Sequence, residues 1–123
     1  MIAITQKRTV SKCVVGLAFL CTVVLAWPVE AQTCRASYYG FESGRTTANG
    51  EHFNPSGLTA AHRTLPFGTR VRVSYGGRSV VVRISDRGPA AYTGRCIDLA
   101  KGAAVALGMI RVGVAPVQVE VMK

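Results

Sequence analysis

Three titratable side chains in the middle of the chain, Glu51, His62 and Asp86, are suited to proton transfer. Glu51 and His62 lie beside turn or strand-edge signals, and Asp86 separates an alternating apolar run from an Arg-Gly-Pro turn. Small β-domains expose their chemistry at such junctions, because the strands hold the loop residues still. We therefore expect the three groups to converge on one cleft.

The elements that must position Asp86 form a hairpin. Residues 70–75 and 79–85 alternate between apolar and other residues, and Gly76-Gly77 between them favours a tight turn because both residues tolerate positive φ. With a period of two, Asp86 falls on the side of the preceding apolar residues, toward the interior of a barrel. A bulge at Ser85 would reverse that orientation.

The remainder of the chain after residue 33 predicts a small β-barrel with one helix. A long loop rich in Gly, Ser, Thr and Asn, residues 40–57, follows the first strand, and loops of this length are usually functional or disordered. A helix is predicted over residues 101–107, with Gly108 suited to its C-terminal cap. Further strands are predicted at residues 34–39, 58–63, 97–99 and 115–121.

Six short blocks stand in a fixed order in this part of the chain. They are Ser37-Tyr38-Tyr39-Gly40, Thr47-Ala48-Asn49-Gly50-Glu51, Leu58-Thr59-Ala60-Ala61-His62, Leu65-Pro66-Phe67-Gly68-Thr69, Asp86-Arg87-Gly88-Pro89 and Gly94-Arg95-Cys96-Ile97-Asp98-Leu99. Through these blocks the chain resembles the RlpA-like (rare lipoprotein A-like) proteins of the bacterial cell wall, from about Ser37 to the C-terminus. The resemblance implies a mainly β fold, a small six-stranded double-psi β-barrel with one short helix. It also implies a lytic transglycosylase that cleaves peptidoglycan glycan strands and leaves 1,6-anhydro-muramic ends.

Lytic transglycosylation needs one carboxylic acid that protonates the leaving glycosidic oxygen and then acts as a base, because the C6 hydroxyl of the sugar is the nucleophile. The resemblance and the predicted inward orientation make Asp86 the first candidate for this acid. Glu51 is expected to be the second carboxylate, and His62 to orient a carboxylate or contact the sugar. The alternatives are an Asp86 that caps a turn or pairs with an arginine, a solvated Glu51, and a structural, half-buried His62.

Aromatic and basic residues are the expected substrate-binding groups. Tyr39 and Tyr92 are candidates to line the cleft, because sugar rings stack on aromatic faces; the alternative for each is a place in the core. Arg87 is expected to hold an anionic substituent of the wall polymer. The sequence has no metal-ligand cluster or cofactor motif, so we expect neither. Asn54 stands where many relatives carry Asp, which removes one possible auxiliary carboxylate.

The first 31 residues predict a secretory signal peptide. Basic residues precede an apolar run from Cys13 to Trp27, and Val29-Glu30-Ala31 suits a signal peptidase. The run of 15 residues is shorter than the roughly 20 that span a bilayer. Cleavage after Ala31 leaves one domain, residues 32–123, with no transmembrane anchor. We expect export to the periplasm or cell envelope without lipidation, because neither Cys21 nor Cys34 follows a small residue.

Two cysteines, Cys34 and Cys96, remain after cleavage. In an oxidising compartment they are expected to form a disulfide. Zinc is the rival use for cysteines, but two thiols without a Cys-x-x-Cys pair make a poor zinc site.

The domain is strongly basic. Residues 32–123 carry twelve basic and five acidic side chains, a formal net charge of +7 that favours polyanionic partners. No nucleic-acid motif is present, so cell-wall polymers and anionic lipid head groups are the expected counter-charges. The resemblance implies peptidoglycan glycan strands as the partner, and we expect the protein to be a monomer.

The alternative function is a non-catalytic module that binds or loosens the cell wall, like the barrels of expansins and barwin-like proteins. A protease inhibitor on a disulfide-linked barrel has no positive support in the sequence. Because the chain ends at Lys123, we expect no C-terminal peptidoglycan-binding module.

Overall fold

The structure, a computed structural model, describes residues 31–123. Six strands and one helix follow in the order β1 (Ala31–Tyr39), β2 (Thr59–His62), β3 (Arg70–Tyr75), β4 (Arg78–Asp86), β5 (Arg95–Ala100), α1 (Lys101–Leu107) and β6 (Ala115–Val121). Short 3-10 turns occupy Phe41–Ser43 and Ala91–Thr93. Of the predicted leader, residues 1–31, the first 30 residues lie outside the described part of the chain.

The six strands close into a barrel in the order β1-β5-β2-β4-β3-β6. The pairs β1–β5 and β2–β4 are parallel, and the other four pairs are antiparallel. Each parallel pair joins strands that are separated along the chain, because parallel neighbours cannot be connected by a tight turn. The six-stranded, mainly β barrel with one short helix confirms the predicted architecture.

The barrel interior is built from the alternating apolar residues of the strands. The predicted hairpin is confirmed, because Val71 and Val73 on β3 pair with Val82 and Val80 on β4, and all four side chains are buried. The turn residues Gly76-Gly77 have φ values of 56° and 83°, a conformation that costs glycine little. Helix α1 matches its predicted bounds and closes the core with three buried residues, Ala103, Ala104 and Leu107.

Among the strands, β1 and β5 extend furthest beyond their predicted bounds. β1 begins at Ala31, not at residue 34, because its first residues pair with the end of β6, starting with Ala31 opposite Glu120. β5 covers six residues, Arg95–Ala100, where three were predicted, because it pairs with β1 on one side and β2 on the other. Pairing with neighbours, which the local sequence does not encode, therefore sets these strand ends.

The predicted inward orientation of Asp86 is wrong. Ala60 on β2 pairs with Ile84, but the next residue, Ala61, pairs with Asp86. Ser85 is therefore an extra residue, a β-bulge, and both Ile84 and Ser85 are buried. Alternation resumes one residue late, so Asp86 lies beside Ala61 on the outer face of the barrel.

The loop between β1 and β2 covers part of this outer face. Phe53 from the loop forms a small buried cluster with Tyr39, Ala61 and Ala100, separate from the barrel core. The predicted loop is therefore ordered against the barrel, and it carries Glu51 to the outer face.

The start of α1 anchors that loop. The amide of Gly102 donates a hydrogen bond to the Pro55 carbonyl at 2.7 Å. A Cβ atom at Gly102 would lie 2.5 Å from the carbonyl carbon of Ser56 and 2.8 Å from its Cα. Glycine is thus required here because the loop backbone passes directly over the helix.

The predicted disulfide is confirmed. Cys34 on β1 and Cys96 on β5 are bonded, with their Cα atoms 5.9 Å apart and 62 residues between them in sequence. The bond joins two neighbouring parallel strands and encloses the loop, β2, β3 and β4 within one covalent ring. Among residues 31–123, no helix has the length and hydropathy needed to cross a bilayer.

Candidate active site

Both aspartates of the chain lie in one row on the outer face of the barrel. Ser37 pairs with Asp98, Asp98 pairs with Ala61, and Ala61 pairs with Asp86. Paired residues on neighbouring strands point to the same side of a sheet, so these four residues form a continuous line across β1, β5, β2 and β4, here called the outer row. Strands lie about 4.8 Å apart, which puts the two aspartate Cα atoms about 10 Å from each other. Ala61, between the two aspartates, is buried in the cluster with Tyr39 and Phe53.

Asp86 is held by three hydrogen-bond donors. The Tyr39 hydroxyl donates to Oδ2 at 3.0 Å, and the backbone amides of Ala48 and Arg87 both donate to Oδ1 at 2.9 Å. Donors from β1, from the long loop and from the following turn therefore fix both oxygens in place. One of the donors is the amide of the next residue, Arg87, so Asp86 also caps the turn that follows β4. A turn cap was the alternative interpretation of Asp86.

Tyr39 supports Asp86 from the buried side. Its ring is 6% exposed and stacks on Phe53, with the centroids 4.8 Å apart and the planes 4° from parallel. Burial, and then the neighbouring Asp86 carboxylate, raise the pKa of Tyr39 well above its usual range, so the hydroxyl stays protonated and donates. Tyr39 was predicted to bind substrate, and the structure gives it a contact with Asp86 and a ring face covered by Phe53.

Asp98 is a carboxyl that the sequence analysis did not select as a site residue. It is half-buried, and its Oδ1 accepts a hydrogen bond from the Ser37 hydroxyl at 2.9 Å. Arg95 donates in turn to the Ser37 oxygen at 2.7 Å. Burial raises the pKa of Asp98, while Ser37 and Arg95 act in the opposite direction. The available signal was a single charged residue between two core residues, Ile97 and Leu99.

Glu51 forms a bidentate ion pair with Arg83. The two guanidinium nitrogens donate to its two oxygens at 2.7 and 3.1 Å, and Asn49 accepts a hydrogen bond from its amide at 3.1 Å. Hydrogen bonding to Arg83, and then to Asn49, lowers the pKa of Glu51, so this carboxyl is ionised at neutral pH. Arg83 lies on β4 three residues before Asp86, so the pair borders the outer row.

His62 lies on the other side of β2. Alternation places its side chain opposite to that of Ala61, and its Nδ1 accepts the backbone amides of Thr64 and Leu65 at 3.1 and 3.2 Å. Burial, and then the charges of nearby arginines, lower the pKa of His62. The imidazole thus caps the turn after β2, which agrees with the alternative of a structural, half-buried histidine. The structure does not bring His62 to the outer row.

Arg87 and Tyr92 differ in how firmly they are held. The Arg87 guanidinium lies 3.9 Å from the centre of the Phe67 ring and donates to the carbonyl oxygens of His62 and Leu65 at 3.1 and 2.9 Å. Tyr92 is 91% exposed in a 3-10 turn, so its ring faces are open to a ligand. The Arg87 guanidinium is therefore held in place by its contacts, whereas the Tyr92 ring is exposed to solvent.

Cavities of different character open on the surface. One of 320 Å³ adjoins the Glu51–Arg83 pair and is also lined by Asn54 and Ser85. A larger one of 520 Å³ lies at the β3–β4 hairpin and contains no carboxyl group. A third, of 400 Å³, is lined by Glu42 and Lys101. Because Arg83 and Ser85 of the 320 Å³ cavity lie on β4 close to Asp86, we place the candidate site there and along the outer row. Within residues 31–123, no group of three or more His, Cys, Asp and Glu side chains is arranged to hold a metal ion.

Comparison with known families assigns the chain. Residues 31–119 match a family model described as lytic transglycolase, a stretch that contains β1 through most of β6. The chain belongs to the lytic transglycolase family. This membership and the barrel together confirm the double-psi β-barrel fold and the resemblance seen in the sequence.

Relatives of this lytic transglycolase-family chain share its sequence closely. The probable endolytic peptidoglycan transglycosylase RlpA of Nostoc sp. is 63% identical over 93 residues, which cover 71% of this chain and 24% of that protein. The endolytic peptidoglycan transglycosylase RlpA of Campylobacter jejuni is 50% identical over 91 residues, covering 71% of this chain and 32% of the relative. That of Pseudomonas aeruginosa is 50% identical over 88 residues, covering 69% and 26%. The chain thus spans about a quarter to a third of the length of these curated relatives.

Solved structures with the same fold are more distant in sequence. A Streptomyces papain inhibitor aligns with a TM-score of 0.64 at 24% identity and covers 76% of this chain and 96% of its own. An expansin of Clavibacter michiganensis aligns with a TM-score of 0.63 at 21% identity, covering 76% of this chain and 51% of its own. At these identities the likeness concerns the fold alone.

Proposed function

We propose that this lytic transglycolase-family domain cleaves peptidoglycan glycan strands by lytic transglycosylation and leaves 1,6-anhydro-muramic ends. The observation that carries the proposal is the outer row, in which Asp86, fixed by three donors, shares one face of the barrel with a second, half-buried carboxyl, Asp98. The family match and the names of the relatives point to the same reaction. The protein would act in the bacterial cell envelope, as an exported monomer.

The chemistry fits two carboxyl groups on one face of the barrel. One carboxylic acid must protonate the glycosidic oxygen as the bond to C1 breaks, and a carboxylate must face the positive charge that develops at C1. The C6 hydroxyl of the same sugar then attacks C1, and the conjugate base of the acid takes up its proton. No activated water is needed, so the site has to admit only the sugar.

Groups at the rim suit a polymer that carries carboxylates and sugar rings. Arg87, held over Phe67, offers a positive charge to the lactyl or peptide carboxylates of the wall polymer. Tyr92 offers an open ring for a sugar face. The Glu51–Arg83 pair beside the 320 Å³ cavity supplies further polar contacts to a neighbouring sugar.

Product analysis tests this proposal. The leader-free protein is incubated with purified peptidoglycan, and the soluble products are analysed by mass spectrometry for anhydro-muramic ends. An Asp86→Asn variant keeps the shape of the side chain but cannot supply a carboxylate, so turnover should fall by about 10²–10⁴-fold while binding to peptidoglycan persists. Binding by the wild-type protein without any anhydro ends would instead support a non-catalytic wall-binding module.

A further inference from the structure

The two carboxyl groups of the outer row have different surroundings, and the difference divides the roles in the proposed reaction. Resting on the proposed function, we propose that Asp98 is the proton donor and acceptor, and that Asp86 is the fixed carboxylate facing the positive charge at C1. This assignment differs from the expectation that the sequence gives, in which Asp86 is the acid.

The hydrogen bonds of Asp86 argue for the anionic role. Both of its oxygens accept from donors, and two of these donors are backbone amides whose direction the loop and turn fix. To deliver a proton from either oxygen, Asp86 would have to release a bond to Tyr39 or to an amide at the moment of transfer. A group held in this way is preorganised to present negative charge.

The surroundings of Asp98 argue for the acid role. Its Oδ1 accepts from Ser37, and among residues 31–123 no hydrogen-bond donor meets its Oδ2. Oδ2 can therefore carry a proton without the loss of an existing contact. Burial raises the pKa of Asp98, as a proton donor requires, and the side chain is still partly exposed to the face where a substrate would lie.

Charged groups from several elements face Asp98. Arg95 on β5 favours its ionised form, whereas Glu42 in the loop and Asp86 on β4 favour its protonated form. Tyr39 on β1 also senses the Asp98 charge. The contacts from Arg95 to Ser37 and from Ser37 to Oδ1 form a short chain that orients the carboxyl, which makes Ser37 and Arg95 positioning residues.

The proposed cycle is balanced without a cofactor. The Asp98 proton moves to the glycosidic oxygen, the C1–O bond breaks, and its electron pair stays on the departing oxygen. The oxocarbenium-like C1 lies against the Asp86 carboxylate. The C6 oxygen then bonds to C1 while its proton moves to the Asp98 carboxylate, which restores the starting acid.

The test measures initial rates of anhydro-end formation against pH for the wild type, Asp98→Asn and Ser37→Ala. Asp98→Asn should lose about 10²–10⁴-fold in rate and keep its binding to peptidoglycan. Activity that needs a protonated acid falls as the pH rises through its pKa. Because the Ser37 hydrogen bond lowers the pKa of Asp98, Ser37→Ala should move this alkaline limb to higher pH. Ser79→Ala, a matched change on the exposed hairpin, should leave the limb in place.

A direct measurement accompanies the rates. The chain contains two aspartates, so ¹³C labelling of aspartate carboxyls gives two resonances to follow by pH titration. One of them should titrate above the ordinary value of about 3.9 and disappear in folded Asp98→Asn. The assignment of roles alone would be overturned if the wild type forms anhydro ends and Asp98→Asn is equally active. The same holds if the wild type is active and the alkaline limb of its pH profile does not move in Ser37→Ala. A wild type that forms none would overturn the proposed function and this assignment together.

Discussion

The contact between Gly102 and the long loop allows a quantitative test of how the site is held. Replacing Gly102 by Ala has two opposing effects on the free energy of unfolding. Alanine is preferred over glycine inside a helix by about 1 kcal/mol, and the gain is smaller in a first turn such as this one. The added Cβ would lie 2.5 Å from the Ser56 carbonyl carbon, where ordinary carbon–carbon contacts need about 3.5–4.0 Å.

The steric effect should be the larger one. The atoms that the new methyl group meets belong to the loop backbone, so no side chain can simply rotate away. Ser56 must move by about 1 Å to bring the 2.5 Å approach to an ordinary contact distance. The movement also strains the hydrogen bond from the Gly102 amide to Pro55. Overpacking of this kind costs about 1–3 kcal/mol, so we expect a net destabilisation of about 1–2 kcal/mol. The same shift displaces Phe53 and Glu51, which the loop carries, and turnover should fall as well.

Urea unfolding monitored by circular dichroism measures the first effect, and anhydro-end formation measures the second. Lys101→Ala is the matched control, because this neighbouring helix residue is exposed and its substitution adds no atom toward the loop. A Gly102→Ala variant more stable than the wild type would show that the loop does not approach the helix this closely and is not anchored by this contact.

Three further outcomes are expected. Thiol titration of the denatured, unreduced protein should find neither Cys34 nor Cys96 free, and two titratable thiols would contradict the disulfide. Replacing both cysteines by Ser should lower the free energy of unfolding by about 4 kcal/mol, the chain-entropy value for a 62-residue separation. Arg83→Gln removes the partner that lowers the pKa of Glu51, so the wild type should exceed it in stability at neutral pH, and the difference should vanish as the pH falls through the folded-state pKa of Glu51; a difference that persists at pH 2 would contradict the ion-pair explanation. Tyr39→Phe keeps the stacked ring but removes a buried hydrogen bond to a carboxylate, so unfolding free energy should fall by about 1.5–3 kcal/mol, and an unchanged value would show that this bond is not formed.

Most of the barrel could be predicted because its signals are local. Alternation in β3 and β4, the Gly76-Gly77 turn and the apolar face of α1 each lie within a few consecutive residues. The disulfide could be predicted because only two cysteines follow the leader.

The site could be predicted only in part, because its geometry depends on pairing between distant strands. Asp98 meets Asp86 through Ala61, a relation set by the registers of β5 with β2 and of β2 with β4. The environment of His62 likewise depends on a turn whose amides point back to its ring. No local pattern distinguishes an imidazole that caps a turn from one that serves a reaction.

The bulge at Ser85 means that strand register decides which medium the Asp86 carboxylate meets. Regular pairing of the same residues would set Ser85 opposite Ala61 and turn the carboxylate into the apolar interior, although every site residue would remain. Deleting Ser85 would remove the bulge and keep Asp86 opposite Ala61, whereas inserting one residue between Ala60 and Ala61 would give Ser85 a partner and allow the inward register. Anyone grafting the Asp-Arg-Gly-Pro turn onto another barrel must therefore match the register of the strand before it, because the motif alone carries the chemistry without its direction.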